Sequence, residues 1–162
     1  MKRILPTGAL LAASLLAGCA SHPVHDAAGH AHHAAMSGTE DRREPVAIPE
    51  PLRSHMLANM RDHLVALGEI QQALAQGDFD RAADVAERRL GMSSLQAHGA
   101  HDVAAFMPRA MQEAGTAMHR SASRFATVAK DASVTGDVRT PLAALAQVNQ
   151  ACVSCHAGYR VK

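Results

Sequence analysis

The chain has 162 residues, 48% hydrophobic, 19% charged and only 2% aromatic, with 16 basic residues against 15 acidic ones. That is one domain's worth of chain, too apolar for global disorder and too evenly charged to grip nucleic acid through its phosphates. Aromatic and β-branched residues are scarce, and Ala, Leu and eight Met supply most of the apolar set, which argues for helices rather than a sheet.

Residues 1–18 read as an export signal. Lys2 and Arg3 open it, and an apolar stretch from Gly8 to Ala17 follows that is too short to remain as a membrane span. Leu16-Ala17-Gly18-Cys19 resembles the lipobox of bacterial lipoproteins. That resemblance implies cleavage before Cys19, acylation of Cys19, and a mature protein anchored to a membrane from the bacterial periplasm. The alternative is an ordinary secretory signal followed by a chance cysteine. Residues 19–49 then read as the lipidated cysteine and a flexible tether, with Pro23, Gly29, Gly38, Pro45 and Pro49 and no helical or strand period. His22, His25, His30, His32 and His33 fall here. Clustered imidazoles bind Zn, Cu or Ni weakly, but no cysteine or carboxylate pair completes a shell, and a soluble tether without a metal role explains them as well.

Residues 50–162 carry helical periodicity. Arg53, Leu57, Met60, Leu64, Leu67, Gln71 and Leu74 repeat at alternating four and three, with Met56, His63 and Ile70 widening that face. Pro51 suits the first turn and Gly77 the exit. Asp78 is placed to cap a second helix striped by Phe79, Ala82, Ala83, Ala86 and Leu90, which Gly91 ends. A less regular stretch, Met92 to Met107, has room for a short helix near Asp102. Pro108 opens a third long helix lined by Met111, Met118, Ala122, Phe125 and Ala129, in which Gly115 leaves space for a close neighbour. Ser133 to Arg139 reads as a loop. Thr140-Pro141 would cap and open a fourth helix with a seam of Leu142, Leu145, Asn149, Cys152 and His156. Nothing reads as a strand. The expected fold is all-α, an antiparallel four-helix bundle.

Chemistry is concentrated in Cys152-Val153-Ser154-Cys155-His156. C-x-x-C-H is the c-type haem attachment pattern. Two thiols three residues apart share one side of a helix and can add to the two vinyl groups of one porphyrin, and the adjacent imidazole reaches the iron as proximal ligand. A redox dithiol would need a thioredoxin-like strand context, which is lacking. A zinc site would need a second ligand pair, which His98-Gly99-Ala100-His101 could in principle supply. With Cys19 acylated and the other two cysteines on haem, no free thiol is left in an oxidising compartment.

A helical bundle with this motif at its C-terminal end resembles the cytochrome c′ family, the class II c-type cytochromes that include cytochrome c-556. The family ending C-x-x-C-H-x-x-Tyr-Arg/Lys matches Cys152 to Arg160, Tyr159 and Arg160 included, and the resemblance spans about Pro51 to Lys162. It implies one covalent haem c, a distal residue early in the first helix, and frequently a homodimer. Met at the distal position closes the iron for electron transfer, and an apolar residue leaves it open to NO or CO. The family often places an Arg four residues earlier, which from Arg53 selects Leu57. Met56 is its neighbour, Met60 lies a turn deeper, and His63 is two turns from Met56. Arg160 and Arg53 are candidate partners of the haem propionates, and Tyr159 a candidate neighbour of the haem edge.

The expected function is that of an exported electron carrier with redox partner proteins, not an enzyme. No nucleophile–base pair or acid–base carboxylate pair stands out. The alternatives are a five-coordinate NO- or CO-binding protein, or a lipoprotein that binds metal through its histidine tail. Cys19→Ser is expected to move the protein from the membrane to the soluble fraction on cell fractionation; retention in the membrane would refute the acylated anchor.

Overall fold

The computed structural model describes residues 40–162. The signal segment, Cys19 and the five tail histidines lie outside the described residues. Within them the chain is predominantly helical, as expected. A short strand β1 (Glu44–Val46) leads into α1 (Leu52–Ala75), α2 (Phe79–Arg89), a single 3₁₀ turn (Met92–Ser94), α3 (Ala100–Ala104), α4 (Arg109–Thr135), α5 (Arg139–Gly158) and a closing strand β2 (Tyr159–Val161).

The stripes expected on α2 and α4 are the buried ones. Phe79, Ala82, Ala83, Ala86 and Leu90 are sequestered, and so are Met111, Met118, Ala122, Phe125 and Ala129. Together with Ala66, Ile70, Ala73 and Leu74 of α1 and Leu145 and Val148 of α5, they make the main apolar core, with Met111 standing apart in a second, smaller cluster. Asp78 caps α2 as expected, accepting the amide N–H of Arg81 at 3.0 Å. Gly91 owes its place to crowding. A Cβ there would lie 2.7 Å from the carbonyl oxygen of Glu87. Gly136 ends α4 in the left-handed region, φ +71°, where a side chain is strained.

Four expectations about the helices need correction. The buried face of α1 is His63, Ala66, Ile70, Ala73 and Leu74, whereas Leu64 is 70% exposed and Gln71 faces water. The helix is therefore rotated so that the residues expected at the margin of its seam are central to it. On α5, Leu142 and His156 are likewise exposed, and Pro141, Leu145 and Val148 are buried. Thr140 does not cap α5. The helix begins at Arg139, and Asp137 accepts that residue's amide N–H at 3.2 Å. Gly115 has nothing near its missing Cβ, so it makes no close approach.

Strands are also present. β1 and β2 pair in parallel, Glu44 opposite Tyr159 and Val46 opposite Val161. Val46 and Ile48 are buried, so the folded domain begins before residue 50, and 41–49 belong to it rather than to a tether.

The helices pack as a series. α1 lies on α2, α2 on α4 and α4 on α5, and no comparably close packing joins α5 back to α1. Arg89 on α2 ties the first pair together. Its guanidinium donates to Asp62, with Nε 3.0 Å from Oδ2, and to Glu69 at 2.8 Å, both on α1. A planar fork held by two carboxylates fixes the relative rotation of the helices better than its partly solvated charges stabilise them.

Phe125 is fully buried at the centre of the core. Phe125→Ala is expected to destabilise the fold by about 3–5 kcal/mol in denaturant unfolding; a loss under about 1 kcal/mol would mean that the core does not depend on this ring.

Candidate functional site

The last turns of α5 present Cys152 and Cys155 half-buried, both as free thiols. Helical geometry puts residues three apart on one side, and the two sulfurs reach different apolar neighbourhoods. Cys152 packs on the main core. Cys155 packs on the second cluster, built on Val46, Ile48 and Met111 with Leu52, Met56, Val103, Met107, Tyr159 and Val161 around them. The motif thus sits where the two clusters meet. Burial pushes both thiols above their ordinary titration range, so they stay protonated. A reactive redox dithiol needs the opposite, a thiolate favoured by nearby positive charge. His156 is exposed beyond them.

The distal candidates separate in space. Met56, on α1, lies in the same cluster as Cys155. Leu57 and Met60 are half-buried. His63 is deep, 6% exposed, and its Nε2 is fully buried without a hydrogen-bond partner. An unsatisfied buried nitrogen costs about 1–3 kcal/mol, which makes this atom unusual in the fold.

His63 has company that spacing along the sequence did not disclose. The rings of His63, His98 and His119 lie with centroids 4.9, 5.4 and 6.1 Å apart. His119 Nδ1 donates to the Leu90 carbonyl at 2.7 Å. The Ser94 hydroxyl donates to the Gly91 carbonyl at 2.7 Å and stands 3.3 Å from His98 Nδ1, which donates to it in turn. Both rings are thereby held in the tautomer that leaves Nε2 bare. Burial, then the neighbouring His98 and His119, bring the pKa of His63 down to about 4; burial likewise lowers His98 and His119. His119 carried a signal: it stands at i, i+3, i+7 with Ala122 and Ala126 on the core side of α4.

The remaining assignments are mixed. Tyr159 is half-buried in β2 beside the Cys155 cluster. Arg160 stands 3.4 Å from the Asp41 carboxylate and Arg53 donates to Glu50 at 2.7 Å, so each basic residue already has an acidic partner. His98 and His101 do not act as a pair. His98 turns inward, and His101 is exposed beside Asp102. Among the described residues no three His, Cys, Asp or Glu side chains converge as the ligands of an ion, so a zinc site built from the cysteines and these histidines has no support. A cleft of about 620 Å³ lies elsewhere, lined by residues such as Leu74, Gly77, Asp78, Phe79 and Ser133, and contains none of the motif.

Comparison with family models, with curated proteins and with solved structures returns no match.

The histidines set a pH dependence. An ordinary imidazole titrates at 6.5 and His63 in the fold at about 4. Between these values the unfolded chain binds a proton that the folded chain refuses, so stability is complete above about pH 6.5 and falls as acid is added, by about 3 kcal/mol for His63 alone. Unfolding in denaturant at about pH 7.5 and about pH 4.5 should show this loss, and His63→Leu should shrink it; an unaltered pH slope in the variant would refute the assignment.

Proposed function

We propose that this chain is an exported c-type monohaem cytochrome that carries single electrons, built as an antiparallel four-helix bundle of the cytochrome c′ type. The observation that carries this reading is the Cys152–His156 motif. Its two thiols are free, protonated and on one side of α5, a helix that packs closely on α4 and not on α1. Neutral thiols in an apolar setting suit addition to vinyl groups, and two helices not packed on each other leave scope for a flat apolar ring. Cys152 and Cys155 would hold haem c by thioether bonds and His156 would be its proximal ligand. The haem supplies exchange of one electron between Fe(III) and Fe(II).

The rest of the work falls to the chain. Val46, Ile48 and Met111, with Met56 and Met107 beside them, keep water from the Cys155 side of the motif. Cys152 is seated on the main core, so the motif is held by packed helix rather than by a mobile loop. Arg160 and Arg53 can serve propionates by exchanging their present carboxylate partners. Acylation at Cys19 would hold the domain on the periplasmic side of a membrane, within reach of redox partners. A homodimer fits the same reading, and no step in it requires catalytic turnover.

The full chain, expressed with a c-type haem maturation system, should carry one haem that resists acid–acetone extraction, and Cys152→Ala with Cys155→Ala should abolish it. Its reduced absorption spectrum should be sharp, low-spin and unchanged by CO. A broad high-spin spectrum converted at once by CO would replace electron transfer by gas binding at a site open at Leu57, and a wild-type chain without covalent haem would end the cytochrome reading.

A further inference from the structure

His63 on α1, His98 ahead of α3 and His119 on α4 come from three separate segments and meet inside the fold. His63 and His119 are 6% and 8% exposed, and His98, half-buried, connects the group to solvent. An apolar core gains nothing from imidazole that Leu or Met would not supply at lower desolvation cost. What three gathered imidazoles add is nitrogen lone pairs.

Two of the rings are oriented. His119 Nδ1 faces the Leu90 carbonyl at 2.7 Å, an oxygen that only accepts, so Nδ1 carries the proton and Nε2 the lone pair. His98 Nδ1 stands 3.3 Å from a Ser94 hydroxyl whose own hydrogen goes to Gly91, with the same result. A ring fixed through one nitrogen by such a partner, with the other left free, is the usual arrangement of a metal-ligating histidine. The third ring is not held in this way. His63 Nε2 is buried without a hydrogen bond, so re-aiming it breaks no bond at that atom.

The separation of the rings is that of ligands to a common ion. With nitrogen about 2.0–2.1 Å from zinc, imidazoles on one tetrahedral ion have their ring centres about 5 Å apart. Here the centres are 4.9, 5.4 and 6.1 Å apart. The donors do not yet meet at one point. The widest separation is between His63 and His119, and His63 is the ring free to turn about its side-chain bonds. The adjustment therefore falls on one side chain. The surrounding charge favours a cation as well. Arg89 is shared by Asp62 and Glu69, one guanidinium against two carboxylates, and the field of Asp62 reaches both His63 and His98.

We propose that His63, His98 and His119 form a binding site for a divalent transition-metal ion of the zinc class, with His98 and His119 bound through Nε2. Imidazole nitrogen suits such ions, and three protein ligands leave a fourth position to solvent. Ser94 and the Leu90 carbonyl are positioning groups that fix the two oriented rings. Cys152, Cys155 and His156 take no part, so the inference does not rest on the haem reading.

The test uses the full chain with His22→Ala, His25→Ala, His30→Ala, His32→Ala and His33→Ala combined, because clustered imidazoles in the amino-terminal segment bind metal weakly by themselves. Equilibrium dialysis against Zn(II) at about pH 7.5 should load one ion per chain and raise the melting temperature. X-ray absorption at the zinc edge should show only nitrogen and oxygen neighbours at about 2.0–2.1 Å, with no sulfur at about 2.3 Å. His63→Leu and His119→Gln should each weaken zinc binding by at least about tenfold, and Ser94→Ala, which removes no ligand, by about tenfold. No zinc retained, zinc retained equally by His63→Leu and His119→Gln, or sulfur in the zinc shell would overturn the proposal. The dialysis and the absorption edge are read on the intact cluster, so they decide the matter even where a histidine variant fails to fold.

Discussion

Ala82 and Ala83 of α2 and Ala122 and Ala129 of α4 have no surface left in water. Side chains this small let two helix backbones approach to the short end of their usual range, roughly 8 Å between axes. That closeness constrains everything around it. α2 is pinned to α4 by alanines and to α1 by the fork of Arg89 on Asp62 and Glu69. α5 is held from the far side by α4, with Leu145 and Val148 turned into the core. Three interfaces are thus determined in sequence, and α5 and α1 stand at the two ends of the series. The cysteine motif lies on α5, and Met56 and His63 lie on α1.

The interior is correspondingly uneven. One region is an alanine-rich core with Phe125 as its one fully buried ring, and it gains its stability from contact and exclusion of water. Beside it, three neutral imidazoles are kept from charging by burial, and two thiols are kept from ionising by the same cause. Polar groups are tolerated there because nearly all are paired, His119 with Leu90 and His98 with Ser94. The exception is His63, whose Nε2 is buried without a partner.

Much of this was legible in the order of residues, and the failures have physical causes. On α2 and α4 most buried positions are Ala, Met and Phe at helical spacing, and the spacing names these correctly, while Val85, His119 and Ser121 are buried beside them. On α1 the leucines mislead. Leu64 and Val65 point to water while His63 points inward, so a rule that ranks Leu above His rotates the helix the wrong way. The cysteine motif is legible because two thiols and an imidazole need a fixed spacing to act on one group. The histidine cluster is not, because it gathers residues 63, 98 and 119 from three separate segments. The β1–β2 ladder is equally hidden. Three residues carry no period, and their partners lie at the opposite end of the folded domain.

That ladder has a mechanical consequence. β1 is the first element among the described residues, and β2 begins three residues after His156. The two strands run in parallel, and the Lys162 amide also donates to the Val46 carbonyl at 3.1 Å. A load applied through the amino-terminal segment therefore enters the fold at residues 44–46 and passes by a few backbone hydrogen bonds into the stretch that bears the cysteines. It acts along the strands, so these bonds are strained together in shear rather than opened one by one. Whatever holds the amino-terminal end of this chain also holds, by that short clasp, the end that carries the Cys152–His156 motif.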